Sequence, residues 1–177
     1  MQTIGLFYGS TNGTTEQIAR QIVTLVEQSE RAQVELLDVA DFYLAEMLAF
    51  DWLILGVPTW NIGQLQKDWE AVFAEFDTLD LHGKQIALFG LGDQRGYPQT
   101  FGDALFFVAD RARSCGAQIV GRWPTLGYTF EQSWAAEGEF FIGLLLDEDN
   151  QPELTAERLE AWVEQVLEEF DFTTMTR

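Results

Sequence analysis

Apolar positions along the chain fall into two alternating rhythms. Short, nearly unbroken apolar runs recur at residues 2–8, Val34–Leu37, Trp52–Val57 and Ile86–Leu91. Between them, apolar residues return every three or four positions. They are Ile18, Ile22, Leu25 and Val26 within 14–28, then Trp69, Val72, Phe73 and Phe76. Phe101, Leu105, Val108 and Ala112 follow, and last Leu159, Trp162, Val163, Val166, Leu167 and Phe170. The first rhythm predicts strands and the second amphipathic helices. Thr14, with Gln17 three residues on, predicts a capping box at the first helix start. Apolar runs without polar alternation belong to strands covered on both faces. Strands alternating with helices give a parallel sheet with helices on each side, a doubly wound α/β domain. One domain is expected over residues 1–177, with a frayed tail from residue 170. A fifth strand is ambiguous. Ile119-Val120 begins one, Phe141 to Leu146 reads as another, and residues 122–140 between them are rich in Gly, Thr and aromatics. Either the sheet has six strands, or one strand is interrupted by a loop.

In such sheets ligands bind beyond the carboxyl ends of the strands, where the strand order reverses. The loop after the first strand is Gly9-Ser10-Thr11-Asn12-Gly13-Thr14-Thr15. Its hydroxyls and backbone N–H groups feed a helix N-terminus, which suits a phosphate. It has neither the Lys of a triphosphate-binding loop nor a Gly-x-Gly-x-x-Gly fingerprint, so a terminal phosphate held without a cation fits better. Taken alone, Asn12-Gly13 is equally an ordinary turn dipeptide. After the third strand comes Pro58-Thr59-Trp60-Asn61-Ile62-Gly63, and after the fourth Gly90-Leu91-Gly92-Asp93-Gln94-Arg95-Gly96-Tyr97-Pro98. Glycines let a backbone approach a ligand closely. Trp60 or Tyr97 singly is as readily edge-of-core packing. Two aromatic walls and a phosphate loop on one sheet edge together point to a flat ring with a phosphorylated tail.

Charge narrows the partners. Lys and Arg number 10 against 29 Asp and Glu, for a net charge of −19. That excludes nucleic acid, whose phosphates need cations, and anionic membrane surfaces. It either steers a basic protein partner from a distance or only maintains solubility. Cys115 is the one cysteine, so no intrachain disulfide forms, and a structural thiol is expected. His82 is the one histidine, expected in a surface turn. It leaves no Ser/His/Asp constellation and no Cys/His metal cluster. The apolar runs are too short to span a bilayer. Met1-Gln2-Thr3 runs straight into a strand, so no leader is expected and a cytoplasmic protein is.

Thr59-Trp60-Asn61-Ile62-Gly63 and Gly92-Asp93-Gln94-x-Gly96-Tyr97, with Asp147-Glu148-Asp149-Asn150-Gln151 further on, resemble the signatures of the flavodoxins over nearly the whole chain. The resemblance implies that family's arrangement, a five-stranded sheet of order 2-1-3-4-5 with FMN at the switch point. The long-chain subgroup, in which a loop splits the fifth strand, matches best and disfavours six strands. The resemblance implies a low-potential one-electron carrier rather than an enzyme. Ser10, Thr11, Asn12, Gly13, Thr14 and Thr15 would hold the FMN phosphate. Trp60 and Tyr97 would flank the isoalloxazine, with Thr59 and Gly63 beside them. Asn61-Ile62 resembles the peptide that turns toward flavin N5 on reduction. Leu91, Gly92 and Asp93, with the backbone of Gln94, would meet the pyrimidine end, and Asp149 the ribityl chain. Partners would be basic redox proteins, such as a ferredoxin-type reductase or photosystem- or nitrogenase-type acceptors, meeting a monomer. A quinone reductase of the same fold is the alternative. A response-regulator receiver is excluded, because Tyr8-Gly9 and Pro58-Thr59 stand where its acidic residues would be.

Three positions depart from the family pattern. Asn12 replaces a usual Thr, and its amide N–H still donates to phosphate. Gln64 replaces a frequent Glu, and Arg95 a usual apolar residue. The last two make the flavin surroundings less negative. Unit charges ~7 Å apart interact by roughly 2 kcal/mol at an effective dielectric near 20. A one-electron couple then moves by tens of millivolts, at about 59 mV per tenfold change in equilibrium constant. Arg95→Ile and Gln64→Glu are expected to lower the potential of the second one-electron step, as read by potentiometry. Unchanged potentials would mean that Arg95 only points to water, pairs with a surface carboxylate or shapes a docking face.

Overall fold

The computed structural model describes residues 1–173. Along the chain the elements are β1 (Gln2–Tyr8), α1 (Thr14–Gln28), β2 (Ala32–Asp38), β3 (Trp52–Gly56), β4 (Thr59–Trp60), β5 (Gln64–Leu65), α2 (Lys67–Val72) and β6 (Gln85–Leu91). They continue with α3 (Asp103–Ser114), β7 (Gln118–Val120), β8 (Trp123–Pro124), β9 (Ala136–Glu137), β10 (Phe140–Phe141), β11 (Leu144–Leu146) and α4 (Thr155–Glu169). The central sheet is parallel, in the order β2-β1-β3-β6, with β7 and β11 both along the outer side of β6. This is the doubly wound 2-1-3-4-5 arrangement expected. The inner strands are buried throughout most of their length. Edge strand β2 alternates, with Ala32 and Leu37 buried and Gln33 and Glu35 exposed.

Alternate strand residues feed two cores. Ile4, Leu6, Ile54 and Phe89 face α1 and α4, meeting Ile18, Ile22, Leu159, Trp162 and Val166. Phe7, Leu53, Leu55 and Leu88 face the other way, onto Trp69, Leu105, Val108 and Ala112. Two tryptophans are fully buried because each indole N–H finds a main-chain oxygen. Trp69 donates to Gly56 O and Trp162 to Gly121 O, both at 2.8 Å.

The fifth strand is one strand interrupted. Val120 of β7 lies opposite Ala87 and Leu144 of β11 opposite Phe89, so both pieces share one line along β6. Six independent strands are therefore ruled out. Phe141 belongs not to that strand but to a small antiparallel sheet, β8-β10-β9, within the interrupting segment. Three further expectations are corrected. The capping box of Thr14 and Gln17 does not form. Gly13 is the cap residue, at φ 88°, and Thr14 is already helical, so its side chain is past the capping position. The helix expected through Phe76 stops at Val72 and tightens into a 3₁₀ segment over Phe73–Thr78. The frayed tail does not begin at residue 170. Phe170 is buried, and the Phe172 ring packs edge-on to Trp52 at 5.0 Å, because two aromatic rings still find apolar partners there. The remainder of that expected tail, residues 174–177, lies outside the described residues.

Gly143 joins the small sheet to β11. A Cβ there would lie 2.1 Å from Leu88 O, a main-chain atom that cannot yield. Gly143→Ala is expected to destabilise the fold by about 3 kcal/mol, read as a lowered urea midpoint. An unchanged midpoint would mean that the interrupted strand relaxes freely along β6.

Candidate functional site

The chain leaves β1 beside the end of β3, with Tyr8 paired to Gly56 and Gly9 N donating to Gly56 O at 3.2 Å. The loop then tightens on itself. Gly13 N donates to Ser10 Oγ at 3.1 Å, and Asn12 Oδ1 accepts from Thr14 N at 3.2 Å. That leaves the Asn12 NH₂ as the outward donor. The first helical bond of α1 runs from Gln17 N to Gly13 O at 3.0 Å. The N–H groups of Thr15 and Glu16 precede it and have no acceptor within the helix. The loop thus presents hydroxyls, an amide and bare backbone donors at the positive end of a helix dipole.

The segment after β3 folds back as a hairpin that no apolar periodicity announced. Thr59 pairs with Leu65 and Trp60 with Gln64. Its turn places Asn61 at φ 48° and Gly63 at φ 74°. A Cβ on Gly63 would also lie 2.9 Å from Asp103 Oδ2. Across the turn, Asn61 Nδ2 donates to Gln64 Oε1 at 3.0 Å. Ala104 N donates to Thr59 Oγ1 at 3.1 Å, fixing the hairpin to α3.

The loop after β6 is tied to the loop after β11. Gly92 N donates to Leu146 O and Gln94 N to Asp147 Oδ2, each at 3.0 Å. Asp93 Oδ1 accepts from Gly96 N at 2.7 Å, Arg95 N at 3.1 Å and Asn150 Nδ2 at 2.8 Å. The Gly96 N–H above all, helped by Asn150 and the Arg95 N–H, holds the Asp93 carboxyl below its ordinary value. Asp149 moves the other way, raised first by burial and then by the charges of Asp93 and Asp147. Arg95 is exposed and forms no ion pair among the described residues, so a surface carboxylate does not engage it.

These loops enclose a cleft of about 340 Å³ at the carboxyl edge of the sheet. A model of the family described as Flavodoxin matches residues 6–162. The chain belongs to the flavodoxin family. It is 48% identical over 166 residues to the flavodoxin of Picosynechococcus sp., covering 94% of this chain and 96% of that one. It is 45% identical over 170 residues to flavodoxin 1 of Escherichia coli, covering 96% and 95%. The fold matches the crystal structure of Fusobacterium nucleatum flavodoxin bound to flavin mononucleotide with a TM-score of 0.90. That match has 32% identity and covers 97% of this chain and 100% of that one.

Most residues that the flavodoxin resemblance singled out meet in the cleft: Thr11, Asn12, Thr14, Thr15, Thr59, Trp60, Asn61, Leu91, Gly92, Asp93, Tyr97 and Asp149. Five do not line it, among them Gln94, which is buried with its N–H given to Asp147 Oδ2. Ser10 and Gly13 shape the first loop, Ile62 is 73% exposed at the hairpin tip, and Gly63 abuts Asp103. Sequence reasoning missed Pro58, Thr100, Phe101, Gly102 and Glu148, which also line the cleft. Phe101 read as a helix-face residue. The available signal was Gly102, which turns the chain at φ 68° immediately before α3.

The Asp93 bonds fix a pH dependence. Its folded pKa lies below its ordinary 3.8, so its contribution to stability is present above that value. The contribution is lost as pH falls through the folded pKa. Asp93→Asn is expected to flatten this acid limb in urea titrations from pH 7 to pH ~3. An undiminished slope would place the acid sensitivity in other carboxylates.

Proposed function

We propose that the chain is a low-potential one-electron carrier that binds FMN non-covalently, a long-chain flavodoxin acting as a soluble cytoplasmic monomer. One observation carries the reading: an aromatic pair and a cation-free helix N-terminus line the same cleft. The donor set fits a phosphorylated flavin. Thr11, Asn12, Thr14 and Thr15 line one end together, and phosphate oxygens only accept hydrogen bonds. Among the described residues no Lys, Arg or His lines the cleft, so backbone dipoles and hydroxyls balance the phosphate charge.

FMN, when bound, supplies the one-electron chemistry. The protein binds, orients and shields it. Ser10 and Gly13 preshape the phosphate loop, while Thr11, Asn12, Thr14 and Thr15 donate to the phosphate. Trp60 and Tyr97 flank the ring and exclude water from its faces. The Asn61-Ile62 peptide, at a turn where Asn61 takes the left-handed conformation, would stand beside the ring. Thr59 and Gly63 fix that turn, while Leu91, Gly92 and Asp93 offer backbone groups to the polar end of the ring. Asp149 meets the ribityl chain. A net charge of −19 suits docking to basic redox proteins, of ferredoxin-reductase, photosystem or nitrogenase type.

The test is a visible spectrum of the purified protein during stepwise anaerobic reduction. A yellow protein that turns blue and then pale is expected. Bleaching in one two-electron step, with NAD(P)H-driven quinone turnover, would favour a quinone reductase instead. A colourless protein that takes up no FMN would overturn the flavin reading.

A further inference from the structure

Gln66 sits between the hairpin and α2 and is 1% exposed. Its amide is fully engaged inside the protein. Oε1 accepts from Asp68 N and Trp69 N, both at 3.2 Å, and so caps α2. Nε2 donates to Asp68 Oδ2 at 2.6 Å and to Thr11 Oγ1 at 3.2 Å. This orientation is forced. Two backbone N–H groups can face only the amide oxygen, so the NH₂ must face Asp68 and Thr11. The fit is tight on the loop side as well. A Cβ on Gly9 would lie 2.3 Å from Gln66 Oε1 and 2.7 Å from Trp69 Cδ1.

The consequence falls on Thr11. A hydroxyl has one proton to donate. Because Thr11 Oγ1 accepts from Gln66, its proton is left for another acceptor, and Thr11 lines the cleft. We propose that Gln66 is a positioning residue for the phosphate end of the cleft. It holds the Thr11 hydroxyl as a donor toward a bound phosphate monoester. It also directly follows β5, so it joins the phosphate loop to the hairpin that carries Trp60. The inference rests on the FMN reading above.

The test is a double-mutant cycle on the apoprotein, titrated with FMN and with riboflavin, which lacks the phosphate. Gln66→Glu keeps an oxygen toward Asp68 N and Trp69 N, so α2 stays capped. It places an acceptor where Nε2 stood, so the Thr11 hydroxyl turns back to donate to it, and the new carboxyl shares a proton with Asp68, which loses its amide donor. Thr11→Val removes the hydroxyl. Each single variant is expected to weaken FMN binding about tenfold and riboflavin binding less than about twofold. In the Thr11→Val background the Gln66→Glu loss shrinks several-fold, while in Thr11→Ser, which keeps the hydroxyl, it persists. The simple electrostatic effect of the new carboxylate on the phosphate would survive loss of the hydroxyl, so the cycle separates the two. If Gln66→Glu does not fold, Gln66→Met, which also lacks the donor, takes its place in the cycle. Losses that multiply independently, or that are equal for FMN and riboflavin, would overturn the role of Gln66 while leaving FMN binding intact. A wild-type apoprotein that binds neither flavin would overturn the flavin reading and this inference with it.

Discussion

The side-by-side pairing of β1 and β3 governs everything at the functional edge. Tyr8 and Gly56 end the two strands in register, yet β1 feeds a helix on one face of the sheet and β3 a hairpin and helix on the other. Two chains that finish together and then part must leave a gap between them. Main-chain bonds hold the two rims of that gap level. Gly9 N donates to Gly56 O, and Val57 N reaches Phe89 O on the next strand at 2.9 Å. The cleft follows from connectivity before any side chain decorates it.

What decorates it is held almost wholly by neutral or singly charged hydrogen bonds. No buried side-chain nitrogen or oxygen lacks a partner among the described residues. Asp147, fully buried, is served by the N–H groups of Gln94 and Asn150 and by the Asn150 amide rather than by a cation. Such a site keeps its shape without strong local positive charge. That matters when the expected guest is itself an anion beside a strongly acidic surface.

The fold was legible where periodicity was long or runs were pure. β1, β3 and β6 are buried on both faces and so carry unbroken apolar stretches, and α1 and α4 repeat their apolar face over several turns. The three loops of the site were legible because strand ends fix where they must lie. Two-residue strands such as β4, β5 and β8 to β10 leave too few positions to show a period, so the hairpin and the small sheet stayed hidden. The capping box failed because Gly13 takes a backbone conformation that side-chain identity alone does not reveal. Gln66 carried no signal either. An amide looks like any polar residue until the groups around it are known. Thr100 to Gly102 were hidden by the core residue Phe101, which serves the cleft wall and the interior at once.

The interrupted strand has a topological consequence. Val120 and Leu144 lie opposite residues only two apart on β6, and Gly143 occupies the slot between them beside Leu88. The chain departs from the sheet and returns to nearly the same point, so residues 121–143 form an excursion that changes neither the order nor the direction of any strand. Lengthening or shortening the exposed part of that excursion, with Ala135, Phe141 and Ile142 kept in the core, leaves the order and direction of the strands unaltered. This makes it a splice point, where evolution or an engineer can write new surface beside the cleft without redrawing the architecture that forms it.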